Sequence, residues 1–142
     1  MEDAAREYGT RGGLEVALAV ELGPCQLGPN QEVHVLQIVR EALSNMVRHA
    51  AARHAWVELR GGADGEVLLE VRDDGCGIGA PPADARNHHG LAIMRERARS
   101  MGGEIDIGPA LPSGTRVCVR FRSANASMAA MAQGDAKKET ET

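Results

Sequence analysis

Aromatic residues are almost missing from this chain of 142 residues: one Trp, one Tyr and one Phe make up 2% of it. That excludes the aromatic platforms on which proteins stack single-stranded nucleic acid, and it leaves a core to be built from Val, Leu, Ile, Met and Ala. Excess positive charge is missing too. A net charge of −4 leaves no electrostatic footprint for DNA or RNA, so no nucleic-acid partner is expected. Cysteine is scarce: Cys25, Cys76 and Cys118 are far apart, without a CxxC or Cys/His ligand spacing. A structural zinc site is not expected, and a reducing, cytoplasmic compartment fits. No apolar run is long enough to span a bilayer and no signal peptide opens the chain, so no direct membrane contact is expected.

What is present is ordinary for one soluble domain with a real core: 43% hydrophobic and 25% charged residues, without an internal repeat. Residues 1–13 read as a linker remnant, 14–122 as the domain, and 123–142, without aromatics, as a disordered tail. Leu14 to Leu22 alternates like a strand. A helix is expected from about Gln31 to Ala50, after the N-cap Asn30. Its apolar stripe is read as Val33, Leu36, Val39, Leu43, Val47 and Ala50. Strands near 55–60 and 66–72 flank a glycine-rich hairpin turn. Residues 79–90 read as a loop, and Leu91, Met94, Ala98 and Met101 as one face of a helix that Gly102-Gly103 stops. Two more alternating strands follow, Glu104–Ile107 and Arg116–Arg122. Two helices and about five strands, grouped rather than strictly alternating, imply an α+β two-layer sandwich. One sheet face would pack on the helices, with the other exposed or docked.

The chemistry concentrates where a strand meets a glycine run, Val71-Arg72-Asp73-Asp74-Gly75-Cys76-Gly77-Ile78-Gly79. Period 2 places Asp73 on the same face as Val67, Leu69 and Val71. A carboxylate ending a buried row is costly without a partner, and the glycines let backbone come close to a flat or charged ligand. On the long helix Glu41, Asn45, Arg48 and His49 gather on one side. An acid, an amide oxygen and two cations can hold a metal and the phosphates around it, although such a face is ordinarily just the solvated one. His88-His89-Gly90 ahead of a helix would offer free N–H groups to a phosphate; alone it is a plain helix start. Gly114-Thr115 leading into a strand is a common turn.

Together, in this order, the pieces resemble the ATP-binding catalytic domain of sensor histidine kinases, within the superfamily that includes gyrase, the Hsp90 chaperones and the MutL ATPases. Glu41-Ala42-Leu43-Ser44-Asn45 through Ala50 looks like the N box, Asp73-Asp74-Gly75-Cys76-Gly77-Ile78 like the G1 box, His89-Gly90-Leu91 through Ala98 like the G2 box, and Gly114-Thr115 like the last box. The form E-A-L-x-N with G-L-x-x-M-R-E-R-A is similar to the NarX-type nitrate/nitrite sensor subfamily. The likeness covers roughly residues 14–122.

The resemblance implies a Bergerat-type sandwich, with a mixed, mostly antiparallel sheet and helices on one face, that binds ATP and Mg2+. It implies that Asp73 accepts a hydrogen bond from the adenine amino group with Thr115 beside it, and that Gly75, Gly77 and Ile78 wrap base and ribose. Asn45 would ligate magnesium, with Arg48 and His49 near the phosphates. Residues from about Gly79 to His89 would form the ATP lid, with Gly90 marking its hinge at the helix start, and Leu91 and Gly114 would also be among the ATP-binding residues. Glu41 would either orient an attacking water, place the metal or position the target histidine. The γ-phosphoryl would pass to a histidine on a dimerisation domain and then to a response regulator. None of His34, His49, His54, His88 and His89 sits in a phosphoacceptor helix. The chain is therefore expected to be the catalytic part of a protein histidine kinase: monomeric, unable to autophosphorylate alone, and cytoplasmic within a membrane-bound sensor. His34 and His54 read as surface residues. A serine kinase of the anti-sigma-factor type and a catalytically silent ATP-binding regulatory module are the rival readings; a gyrase-like ATPase would carry a longer chain and a transducer domain.

Overall fold

The computed structural model describes residues 6, 13–48, 52–75, 85–110 and 114–125, with no side-chain description at 48 and 85–89. Five strands form one sheet: β1 (Glu15–Glu21), β2 (His54–Gly61), β3 (Glu66–Asp73), β4 (Glu104–Pro109) and β5 (Thr115–Arg122). Two helices accompany them, α1 (Pro29–Arg48) and α2 (Ala85–Ser100). The sheet order is β1-β2-β3-β5-β4. β1 runs parallel to β2, because α1 carries the chain back across the sheet between them; every other pair is antiparallel.

Alternation decides what each strand buries. In β3 every second residue is buried, ending at Asp73. Val67, Leu69 and Val71 share that row with Val57 and Leu59 of β2 and Val117, Val119 and Phe121 of β5, under Met94 and Ala98 of α2. α1 meets them with Val35, Ile38, Val39, Ala42, Leu43 and Met46, the spacing of one helix face. Each Val, Leu, Ile, Met or Phe among them contributes roughly 1.5–3 kcal/mol by leaving water. The expected stripe was centred about one residue, some 100°, away from this one: Val33 is 54% exposed, Leu36 is half-buried, and Val47 packs against the edge of the core.

The other sheet face carries charge. Glu58 stands opposite Glu70, a repulsive placement relieved by Arg60 on Glu58 at 2.7 Å and Arg116 on Glu70 at 3.1 Å. Arg72 lies over Trp56, 5.0 Å from the ring centre. Ordered chain continues past β5, where a disordered tail from residue 123 was expected. Ser123 is buried, the Ala124 N–H donates to Gln26 O at 2.9 Å, and Asn125 accepts from the Gln26 N–H at 3.0 Å while donating to Pro24 O at 2.9 Å. The rest of that tail, and of the expected 1–13 linker apart from Arg6 and Gly13, lies outside the described residues.

Candidate functional site

Asp73 is the last residue of β3 and faces the helices, with 2% of its surface exposed. Its Oδ1 accepts the Gly75 N–H at 2.7 Å, and the Thr115 N–H donates to the same carboxylate. Burial pushes the Asp73 pKa up, and these two N–H groups pull against it. Its other oxygen, Oδ2, is buried and unsatisfied among the described residues, and so is the hydroxyl of neighbouring Thr115. An unmade hydrogen bond at a buried group costs about 1–3 kcal/mol, so two side by side mark a candidate ligand position. A carboxylate takes a donor, and a hydroxyl gives or takes one.

Gly114 explains how β5 comes so close. Its φ is +100°, and any Cβ would overlap the Asp73 carbonyl and stand 2.8 Å from Oδ1. Only glycine fits both the left-handed backbone and the space.

A second group lies between the helices. Glu41 and Asn45 are one turn apart on α1. Gly90 of α2 presses on both: a Cβ there would sit 3.3 Å from Glu41 Oε2 and 3.3 Å from both amide atoms of Asn45. Glycine inside a helix costs about 1 kcal/mol against alanine, and this close approach is what the position gains. Contrary to expectation, α2 begins at Ala85. Gly90 therefore lies in the second turn, and its N–H is not a free helix end offered to a phosphate. Leu91, also in that turn, is half-buried against the core. Among the described residues no three His, Cys, Asp or Glu side chains form a metal cage. Magnesium that rests mostly on phosphate and water asks for only one or two protein oxygens, which Asn45 and Glu41 offer.

Asp73, Gly75, Gly114 and Thr115 are thus brought together, as are Glu41, Asn45 and Gly90, while Leu91 packs against the core. His49, Gly77 and Ile78, with the side chains of Arg48 and His89 and most of the expected lid, lie outside the described residues. A third constellation was not anticipated. Asp74, exposed on the opposite sheet face, accepts N–H groups from Arg53 and His54 at 3.0 and 2.9 Å and lies 2.7 Å from His54 Nδ1. The His54 backbone and ring, in that order, with Arg53 after them hold the Asp74 pKa down to about 2. The signal was available: a hairpin register pairing Ala55 with Asp73 puts His54 beside Asp74.

No described helix is long and apolar enough to cross a membrane. A family profile described as histidine kinase-, DNA gyrase B- and HSP90-like ATPase matches residues 30–125. The nitrate/nitrite sensor protein NarX of Escherichia coli is 38% identical over 123 residues, 85% of this chain but 20% of that protein. NarQ of the same organism is 39% identical over 110 residues, 78% of this chain and 19% of that one. The chain thus spans about a fifth of these relatives. Among solved structures, full-length ShkA in complex with AMPPNP superposes with a TM-score of 0.67 at 26% identity, covering 87% of this chain and 29% of that one. The ATP-binding domain of PrrB from Mycobacterium tuberculosis shares the fold, with a TM-score of 0.67 at 23% identity over 85% of this chain and 89% of that one. With the buried acid, the glycine that closes on it and the N-box helix in place, the chain belongs to the family of histidine kinase-, DNA gyrase B- and HSP90-like ATPases, as a histidine kinase ATP-binding domain.

Proposed function

We propose that this domain binds Mg-ATP and donates its γ-phosphoryl to a histidine on a separate dimerisation domain, for relay to the receiver domain of a response regulator. The observation that carries the reading is the buried, unsatisfied pair Asp73 Oδ2 and Thr115 Oγ1. Adenine meets both: its exocyclic amine donates to the carboxylate, and a ring nitrogen accepts from the hydroxyl. Gly114 holds the two strands close enough for one ligand edge to reach both groups, while Gly75, Gly77 and Ile78 border the base and sugar.

Asn45 and Glu41 are the groups that would hold magnesium, which when bound supplies charge neutralisation to the phosphate oxygens. Gly90 keeps the two helices close so that these side chains stay oriented. Arg48, His49 and His89 complete the phosphate side. Phosphoryl transfer depends mainly on positioning and charge, so Asn45 and Glu41 act at the transfer step by holding charge in place. On this reading the domain acts in the cytoplasm, is monomeric by itself, and needs the dimerisation domain to supply the acceptor.

Titration of the whole chain with Mg-ADP tests the pocket. Asp73→Asn removes binding if Asp73 anchors adenine, and unchanged affinity overturns the assignment. Adding a dimerisation domain and labelled ATP tests the transfer. Acid-labile label on the partner is expected for phosphohistidine, whereas acid-stable label moves the chain to the serine kinases.

A further inference from the structure

His54 stands on the charged face of the sheet, one residue before Ala55, the partner of Asp73. Its ring lies between two carboxylates, with Nδ1 2.7 Å from Asp74 Oδ2 and Nε2 3.2 Å from Glu15 Oε2. The backbone converges on the same place. The Glu15 N–H donates to Arg53 O at 2.8 Å and the Asp74 N–H to His54 O at 3.2 Å. Asp74 Oδ1 accepts from both Arg53 and His54 N–H groups. The start of β1, the start of β2 and the end of β3 are thus tied at one dipeptide. The end of β3 is where Asp73 begins its turn to Gly75. Among the described residues, the other charged or aromatic groups around His54 are Arg53, next to it in the chain, Trp56, stacked with it at 6.3 Å, and Arg72 beyond Trp56.

We propose that His54 is a positioning residue for adenine binding: by bridging Glu15 and Asp74 it fixes the turn from which Asp73 presents its free oxygen to the base. The inference rests on the nucleotide reading of Asp73 and adds to it a protonation state. A neutral imidazole has one N–H and serves one carboxylate, whereas the imidazolium has two and serves both. The hydrogen bond to Asp74 leads the causes that raise the His54 pKa, with Glu15 adding to it. The bridge is therefore complete below that raised pKa and is lost as pH rises through it, while Asp74 stays ionised throughout.

The test is Mg-ADP affinity of the full chain, by calorimetry, from about pH 6 to about pH 9, for the wild type and for His54→Gln. Glutamine still hydrogen-bonds there but does not titrate. Wild-type affinity is expected to fall roughly threefold with rising pH and the variant's profile to be flatter by that amount. A Glu15→Gln, Asp74→Asn variant should lose the slope as well. Reciprocity requires saturating Mg-ADP to raise the His54 pKa followed by NMR. Superimposable wild-type and His54→Gln profiles, or a His54 pKa unmoved by Mg-ADP, overturn the inference while leaving Asp73 as the anchor. No binding at any pH overturns the nucleotide reading and this inference with it.

Discussion

Asp73 and Asp74 are the same residue one position apart: Asp73 ends β3 on its buried face, and Asp74, just past the strand, turns to the exposed side. Asp73 is buried with one oxygen unsatisfied, and burial lifts its pKa. Asp74 is exposed, takes N–H groups on Oδ1 and the His54 ring on Oδ2, and its pKa drops to about 2. One carboxylate keeps an oxygen without a partner among the described residues, the oxygen proposed to meet adenine, and the other is committed to holding three strand ends together. On the proposed reading two neighbouring acids divide binding from structure, the first by ending the buried row of β3 and the second by lying just beyond it.

Replacing the buried acid should give the largest effect. Asp73→Asn is expected to weaken Mg-ADP binding about a hundredfold or more, since a pocket built around a hydrogen bond rejects the wrong partner strongly. Thermal stability should hold or rise, because a buried charge is removed. A variant that lost stability but kept affinity would collapse the contrast. Next comes Gly114→Ala, which forces a Cβ into the Asp73 carbonyl at a φ of +100°. It should cost about 2 kcal/mol in urea unfolding, with nucleotide affinity falling alongside.

Gly90→Ala should separate stability from activity. Helix propensity gains about 1 kcal/mol and crowding of Glu41 and Asn45 opposes it, so the unfolding midpoint should hardly move. The magnesium dependence of ATP binding should weaken several-fold, in keeping with one or two disturbed oxygen ligands; full retention would release Gly90 from any role beside the metal. The smallest effect concerns acid. The depressed pKa of Asp74 contributes stability that is present above its ordinary value and lost as pH falls toward about 2. The raised pKa of Asp73 works the other way: stability linked to its protonated form is present in acid and lost as pH rises through that pKa. Acid unfolding followed by circular dichroism should therefore be shallower for Asp74→Asn than for the wild type, and steeper for Asp73→Asn.

The β2–β3 hairpin and the buried placement of Asp73 were legible because alternation and glycine turns are local signals, whereas the mixed sheet was expected from the family resemblance alone. The core face of α1 was misread because Val33 and Val47 mimic a stripe that packing rotates toward Val35 and Met46. The start of α2 was missed because Ala85-Arg86-Asn87-His88-His89 has no apolar periodicity to announce a helix. At the site, Asp73 with Gly114-Thr115 could be named from motif order. Yet the overlap that makes Gly114 obligatory joins residues 41 apart in sequence, and no local pattern encodes it. His54 was read only as a surface residue for a similar reason: its ties to Glu15 and Asp74 depend on the strands it faces.

Asn125 limits how far the chain can be shortened. With Ala124 it makes three hydrogen bonds to Pro24 and Gln26, which begin the approach to α1. A fragment ended at Arg122 would keep all five strands on paper but would unlatch the segment that leads to Glu41 and Asn45. The shortest version worth expressing ends at Asn125.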